Sequence, residues 1–371
     1  MFNLFKSKSN RFLGIDFGGS AIKAVELSLE NQKINLVNYA WIDFSGEQIK
    51  EELDSQSIER ITETYLGKLI DKMEPGTKNV FVSIPGFSGL VNVIEIANIK
   101  KEEVGNAIEY EAYKYIPISL DEVYLSWDIL DLGEKNTLIV DQSEKDKNFS
   151  GKTDEGKIKV LLVAAPKTEV DKFESLIVRN GLKIAALELD TFSVTRSLIG
   201  SETGAYIVIE IGARTTTIVA IKNGNVVINR NLYIGGNEFT KNIARGMDIS
   251  WSRAEKYKKE KRDIINTVQV GINFSALDVI SGEAKRILKM FQEKEDVNSL
   301  DGVIISGGTA RMVGILEYFE KELGKNVSIG NPWQQIRYDK KLEGAIDDLG
   351  PAFSVAVGAA LKGVEEYQRN I

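Results

Sequence analysis

The chain contains no cysteine and no histidine. Without cysteine there is no disulfide, no thiolate nucleophile and no thiolate-held metal. Without histidine, Ser-His-Asp and Cys-His catalysis and the usual zinc ligand sets are excluded. Any metal must be held by oxygen, which favours magnesium or calcium. No run of about 18 apolar residues occurs, so no membrane-crossing helix is expected. The opening MFNLFKSKSNR lacks the apolar core of a secretory signal, so a cytoplasmic location is expected and MFNLFK is read as a frayed terminus. A net charge of −7 argues against a nucleic-acid binder.

What is present is ordinary for a globular protein, with 43% hydrophobic and 27% charged residues. A length of 371 residues predicts two or more domains. The most informative stretch lies near the front: FLGIDFGGSAIKAVEL, from Phe12 to Leu27. It reads as an apolar strand ending on an acid, a turn of two glycines and a serine, then a second strand carrying a lysine. Taken alone it reads as a tight hairpin. A second copy, IVIEIGARTTTIVA, runs from Ile207 to Ala220. Setting Gly18 on Gly212 puts Asp16 on Glu210 and Ile15 on Ile209. A third glycine stretch is DGVIISGGTARMVGILEYF, from Asp301 to Phe319. Here Val303 to Ile305 predicts a buried strand. Val313, Leu316, Phe319 and Leu323 predict a helix that follows the turn directly.

Glycine-rich turns suit phosphate, because backbone N–H groups can converge closely on its oxygens. Gly18, Gly19, Ser20 and Ala21 form one candidate cradle, and Gly212, Thr215 and Thr216 the other. Lys23 supplies a point charge. Asp16 and Glu210 are candidates to hold Mg²⁺ through water. Gly307, Gly308 and Thr309 occupy the strand-end position where α/β sheets bind ligands. Arg214 either lines the phosphates or points outward.

Three such loops in this order resemble the actin/Hsp70/hexokinase superfamily of two-lobed nucleotide binders. The resemblance implies an α/β, actin-like (ribonuclease H-like) fold that binds ATP or ADP with Mg²⁺. Within it, EYEAYKYIP and the following acid-Val-x-Leu-x-Trp strand resemble the PilM family of type IV pilus assembly and, more loosely, FtsA. LYIGGNEFTKNIA, AEKYK, NPW and GPAFSVAVGAALKG extend the likeness over residues 11–371. An FtsA-like filament protein is an alternative, but such proteins usually end in an amphipathic helix after a linker, and this chain stops at EEYQRNI. A small-molecule kinase is another, but no motif for its base is found.

The resemblance implies a first lobe over 10–199, completed by 331–371, with a peptide-docking insert at about 80–185. It implies a second lobe over 200–330 with a helical part at about 237–298. Residues 133–157 are polar and predict a long loop. The implied partner is the N-terminal cytoplasmic peptide of PilN, with other inner-membrane pilus components, self-association and a place at the inner face of the membrane. Glu255 and Lys258 share a helix face, and the resemblance places that helix beside the ribose and adenine. Glu188, by its distance to Arg196, is the candidate for positioning an attacking water, with Asp190 read as a helix cap. Such a residue alone implies slow hydrolysis at most.

Overall fold

A computed structural model describes residues 10–44, 55–97, 101–130, 157–260, 262–265, 272, 274–295, 297 and 300–369. MFNLFK and nearly all of 133–157 lie outside them. In chain order the elements are β1 (Arg11–Phe17), β2 (Ala21–Glu30), β3 (Lys33–Asp43), α1 (Ser55–Met73), β4 (Asn79–Ile84), β5 (Leu90–Ala97), α2 (Lys101–Ala112), β6 (Val123–Ile129), β7 (Lys157–Pro166), α3 (Lys167–Arg179), β8 (Lys183–Leu189) and α4 (Asp190–Leu198). They continue with β9 (Ala205–Ile211), β10 (Thr216–Lys222), β11 (Asn225–Leu232), α5 (Gly236–Met247), α6 (Trp251–Lys258), α7 (Ser275–Glu295), β12 (Gly302–Ser306), α8 (Ile315–Leu323), β13 (Val327–Ile329), β14 (Ile336–Arg337), α9 (Glu343–Leu349) and α10 (Ser354–Arg369).

The sequence echo is a duplicated sheet. One sheet runs β14-β3-β2-β1-β4-β8 and another β11-β10-β9-β12-β13. In each, an antiparallel three-strand meander continues into two parallel strands at its first member. Parallel strands need both faces covered, and the strand sequences fit that demand. Leu13, Ile15 and Phe17 of β1 pack with Leu66 and Leu69 of α1 and Phe173, Leu176 and Ile177 of α3. Phe12, on the other face, packs with α10. Val208 of β9 joins Phe192 and Val194 of α4, whereas Ile207, Ile209 and Ile211 face α5, α7 and α8. The first core therefore runs from one sheet through α4 to the other.

The insert is narrower than 80–185. Its three-stranded sheet, β5-β7-β6, packs with α2 over its own core of Ile94, Ile108, Val160 and Leu162. β4 and β8 belong to the first sheet, and α3 packs its apolar face into the first-lobe core. The five-stranded sheet spans Ala205–Ile329, and β14 and α10 return to the first sheet.

α10 lies in the segment Lys340–Arg369, which passes for a membrane-crossing helix by length and composition alone; 67% of its most apolar part is buried in the fold. Its small residues, AVGAA, raise hydropathy without a continuous apolar run. They permit close packing: a Cβ at Gly358 would strike the Ser193 carbonyl of α4, and one at Gly14 would strike the backbone of α10 at Ala356 and Ala360.

Overpacking against backbone cannot be relieved by a rotamer change. Gly358→Ala is expected to lower stability by roughly 3 kcal/mol, read as a reduced urea midpoint at unchanged slope. A midpoint equal to that of the unaltered protein would refute the close crossing.

Candidate functional site

The cleft is built from turns at the ends of β1, β9 and β12. In register, Asp16 pairs with Lys23 across the first hairpin, and Ser306 pairs with Glu210 across the second sheet. The two hairpin turns meet: a Cβ at Gly19 would lie 3.0 Å from Cγ of Arg214. The Arg214 stem thus lies over the first turn, and the residue as a whole is exposed. Gly18 allows the tight return, since a Cβ there would lie 2.8 Å from the Ala21 carbonyl. Gly307 has φ +89°, a conformation glycine adopts without strain. A Cβ there would overlap the Ile211 backbone and lie 2.9 Å from Oε1 of Glu210. Gly308 borders open space.

Lys23 Nζ donates to Oδ2 of the buried Asp16 at 2.9 Å. Burial alone would lower the Lys23 pKa; the Asp16 carboxylate outweighs it and raises the pKa above the usual value. Glu210 is pushed up to about 8 by burial and then by the charge of Asp190, with Lys23 opposing and Asp16 adding. Asp190 is pushed up to about 7, by burial and, among its charged neighbours, by Asp16. Three carboxylates and one ammonium therefore share a poorly solvated space. Asp190 Oδ1 is buried without a hydrogen-bond partner.

Glu188 does not face this cluster. Its carboxylate accepts from Arg196 Nη1 at 2.6 Å and Nη2 at 3.0 Å, and from Ser193 at 2.5 Å. Arg196 also donates to Glu365 and to the Gly358 carbonyl. Glu188 is therefore committed to Arg196 and Ser193 rather than to the cleft, and Asp190, the first residue of α4, lies beside Gly86 and the acid cluster, where hydrogen bonds from Gly86 and Thr191 oppose the rise in its pKa. Alternation on β8 turns Glu188 toward α4, while the strand-to-helix turn aims Asp190 into the cleft.

Other expected residues divide. Thr216 is fully buried and its hydroxyl donates to the Ile234 carbonyl at 2.8 Å, so it serves the fold. Thr215 remains partly exposed at the turn, and its carbonyl accepts from Gly212 N at 2.9 Å. Thr309 is buried, with its hydroxyl against Gly236. The helix expected from Val313 starts instead at Ile315, and Val313 is exposed on the intervening turn. Glu255 and Lys258 pair at 2.8 Å, and Lys258 also donates to Thr240 and to the Gly236 carbonyl. Burial of the Glu255 carboxyl is outweighed by Lys258 and Thr240, which hold it at about 2. Burial lowers Lys258 despite its partner. This pair reaches the cleft through Gly235–Gly236, which the sequence reading did not assign. Gly236 N donates to the Gly212 carbonyl at 2.8 Å, and a Cβ at Gly235 would lie 2.7 Å from that oxygen. Gly86 was missed too: a Cβ there would lie 2.6 Å from Asp190 Oδ1. Its signal was the Pro-Gly directly after an apolar strand.

The donor set fits a hydrated divalent cation. Among the described residues no group of three carboxylates can ligate a metal directly. The unpaired Asp190 oxygen and the crowding of three acids favour a cation reached through water.

Comparisons with known proteins bear on the family and the fold. The family described as type IV pilus assembly protein PilM matches residues 14–364. A solved PilM–PilN type IV pilus biogenesis complex is 23% identical at TM-score 0.76, covering 95% of this chain and 98% of that one. MreB 5 of Spiroplasma citri bound to AMPPNP is 12% identical at TM-score 0.50, covering 97% and 98%. The cell division protein FtsA of Bacillus subtilis (strain 168) is 22% identical over 360 residues, covering 86% of this chain and 78% of that protein.

Two predictions follow from the buried charges. Asp190 and Glu210 have folded pKa values raised above their unfolded ones, so the native state binds extra protons between about pH 4 and pH 8 and loses stability as pH rises through that window. Asp190→Asn and Glu210→Gln are therefore expected to exceed the unaltered protein in stability at pH 8.5 by about 1–2 kcal/mol, the gain fading toward pH 4. Urea titrations without Mg²⁺ or nucleotide check it, and a pH-independent difference would refute it. Glu188→Ala, which strips a buried guanidinium of its bidentate partner, is expected to cost about 3 kcal/mol in the same assay. A loss below about 1 kcal/mol would show that the pair behaves as a solvated one.

Proposed function

The chain belongs to the PilM family of type IV pilus assembly proteins, and we propose that it works there as an ATP-binding scaffold at the inner face of the cytoplasmic membrane. In this reading ATP with Mg²⁺ occupies the cleft, and the inserted domain docks the N-terminal cytoplasmic peptide of PilN. Other inner-membrane pilus components and self-association belong to the same proposal. The observation that carries the nucleotide half is the meeting of the two hairpin turns, with the Arg214 stem over Gly19.

The chemistry follows from the residues present. Backbone N–H groups of Gly18–Ser20 and Ala213–Thr215 would cradle phosphate oxygens, the Gly212 N–H being spent on the Thr215 carbonyl. Lys23 offers a fixed positive charge, oriented by Asp16. Asp16, Asp190 and Glu210 are the residues that would hold a hydrated Mg²⁺, which when bound would supply charge neutralisation to the phosphates. Lys258 and Glu255 border the cleft from the second lobe, beside Thr309 and Gly236. Asp190 would be the carboxylate available to orient a water. The guanidinium of Arg196, by contrast, is committed to Glu188 and Glu365, so it cannot stabilise a transferring phosphoryl group. The reading is a nucleotide holder with slow turnover.

The docking half rests on the insert. Tyr110, Tyr113, Tyr115, Ile118, Tyr124 and Trp127 are all exposed there, Tyr110 at 73%. A concentration of exposed aromatics marks a protein-binding face. β6, which carries Tyr124 and Trp127, is an outer strand of its sheet, a position that an extended peptide can lengthen.

Calorimetric titration tests both halves. Asp16→Ala and Lys23→Ala are expected to weaken Mg·ATP binding at least about tenfold, while peptide binding persists. Trp127→Ala is expected to weaken binding of a PilN-type N-terminal peptide and leave nucleotide binding intact. Unchanged Mg·ATP affinity in Asp16→Ala would remove the nucleotide assignment. Absence of saturable peptide binding at high micromolar concentration would remove the docking assignment.

A further inference from the structure

The chain passes from β4 of the first lobe to β5 of the insert through the short connection Pro85–Gly89. This connection is wedged between the cleft and the second lobe. At Gly86 a Cβ would lie 2.6 Å from Asp190 Oδ1 and 3.0 Å from Asn231 Oδ1 of β11. The next residue, Phe87, pairs with Tyr233 just beyond β11, ring centroids 5.6 Å apart at 48°. Both rings are exposed, Tyr233 at 77%. Ser88 is buried, and a Cβ at Gly89 would lie 2.8 Å from the Ala164 carbonyl of β7 and 3.0 Å from Cδ1 of Leu189. One turn thus touches the acid cluster, the second lobe and both strands by which the insert joins the first lobe.

β11 carries the same connection onward. Its alternate residues face the first lobe: Asn229 accepts from Thr191 of α4 at 3.1 Å, and Asn231 accepts from Thr217 at 3.0 Å beside Gly86. At its other end β11 lies against β5 of the insert. There Lys159 of β7 meets Glu295 of α7 at 2.7 Å, and Lys222 of β10 donates to the Glu295 carbonyl at 2.6 Å. The insert is therefore held by both lobes. The 86–88 turn and the β5–β11 contact are, with the α4 packing, places where the insert and the first lobe meet the second lobe.

We propose that the Gly86–Ser88 turn is a latch that couples occupancy of the cleft to the seating of the insert on the second lobe, with Phe87 and Tyr233 as its closing contact. The proposal rests on the reading that the cleft holds a nucleotide. A ligand that bridges the two hairpin turns holds them at the contact already made by Gly19 and Arg214 and keeps β11 against the 86–88 turn. Only Gly89 separates that turn from β5, so its displacement reaches the insert without an intervening loop. By linkage, whatever docks on the insert then changes the affinity of the cleft.

Hydrogen exchange of the full chain, with and without Mg·AMPPNP, tests the latch. In the unaltered protein, bound Mg·AMPPNP is expected to slow exchange of Leu90–Ala97 and Asn225–Leu232 at least about fivefold. Phe87→Ala and Tyr233→Ala remove exposed rings and are expected to fold normally. They are expected to bind Mg·AMPPNP within about twofold of the unaltered protein while exchange in Leu90–Ala97 no longer responds. Tyr233→Phe keeps the ring and is expected to keep the response. Binding without a response in the unaltered protein, or an undiminished response in both alanine variants, overturns the latch alone. Absence of Mg·AMPPNP binding overturns the latch and the nucleotide reading together.

Discussion

The crossing of α4 and α10 is the constraint on which the rest depends. Gly358 lets α10 lie directly on the Ser193 backbone, and Gly14 lets the same helix lie on β1. The crossing is locked by charge as well as by contact, since Arg196 of α4 reaches the Gly358 carbonyl and Glu365 of α10 while holding Glu188 of β8. α4 also contributes Phe192 and Val194 to the core that links the two sheets. One short helix therefore fixes the first lobe and reaches into the second. Its first residue is Asp190, so the rigidity of the crossing becomes the placement of the cleft carboxylate.

That placement has an electrostatic cost. Asp190 and Glu210 sit with Asp16 and one lysine, and burial opposes the ionisation of both Asp190 and Glu210. A fold selected for stability alone would replace such acids with apolar residues. Their retention at the meeting point of three glycine turns suits a site whose missing charge balance comes from a ligand. The same region holds the 86–88 turn, so the chemistry of the cleft and the attachment of the insert occupy one place in the fold.

The duplicated architecture was legible because it is written locally. An apolar strand, an acid, a glycine turn and a second strand form a signal within about fifteen residues, and two copies give two sheets of matching order. Lys23 was legible as a charge on the strand that follows the first turn, while its pairing with Asp16 was set by the register of the hairpin. Assignments that crossed elements were less secure. Glu188 and Asp190 are two residues apart, and nothing in their spacing says which meets Arg196 and which meets the cleft. Thr216 has the right residue type but spends its hydroxyl on Ile234, fifteen or more residues on. Gly86 and Gly235–Gly236 are constrained by atoms of other loops, and a linear pattern does not display those contacts. The insert boundary slid because β4, α3 and β8 have the same apolar periodicity whether they pack on the insert or on the first lobe.

The sequence by itself determined the chemistry on offer and the local geometry. Oxygen was left as the metal donor by the absence of cysteine and histidine, the three glycine turns were set by their strands, and the small residues of α10 were given. Tertiary structure decided which charges pair, which remain unpaired, and what the turns face. Asp190 became the carboxylate of the cleft and Glu188 the anchor of Arg196 because α4 starts at one and lies over the other. Hydrophobic periodicity encodes which side of an element is buried. The identity of the atoms waiting on that side is fixed only when the other elements arrive.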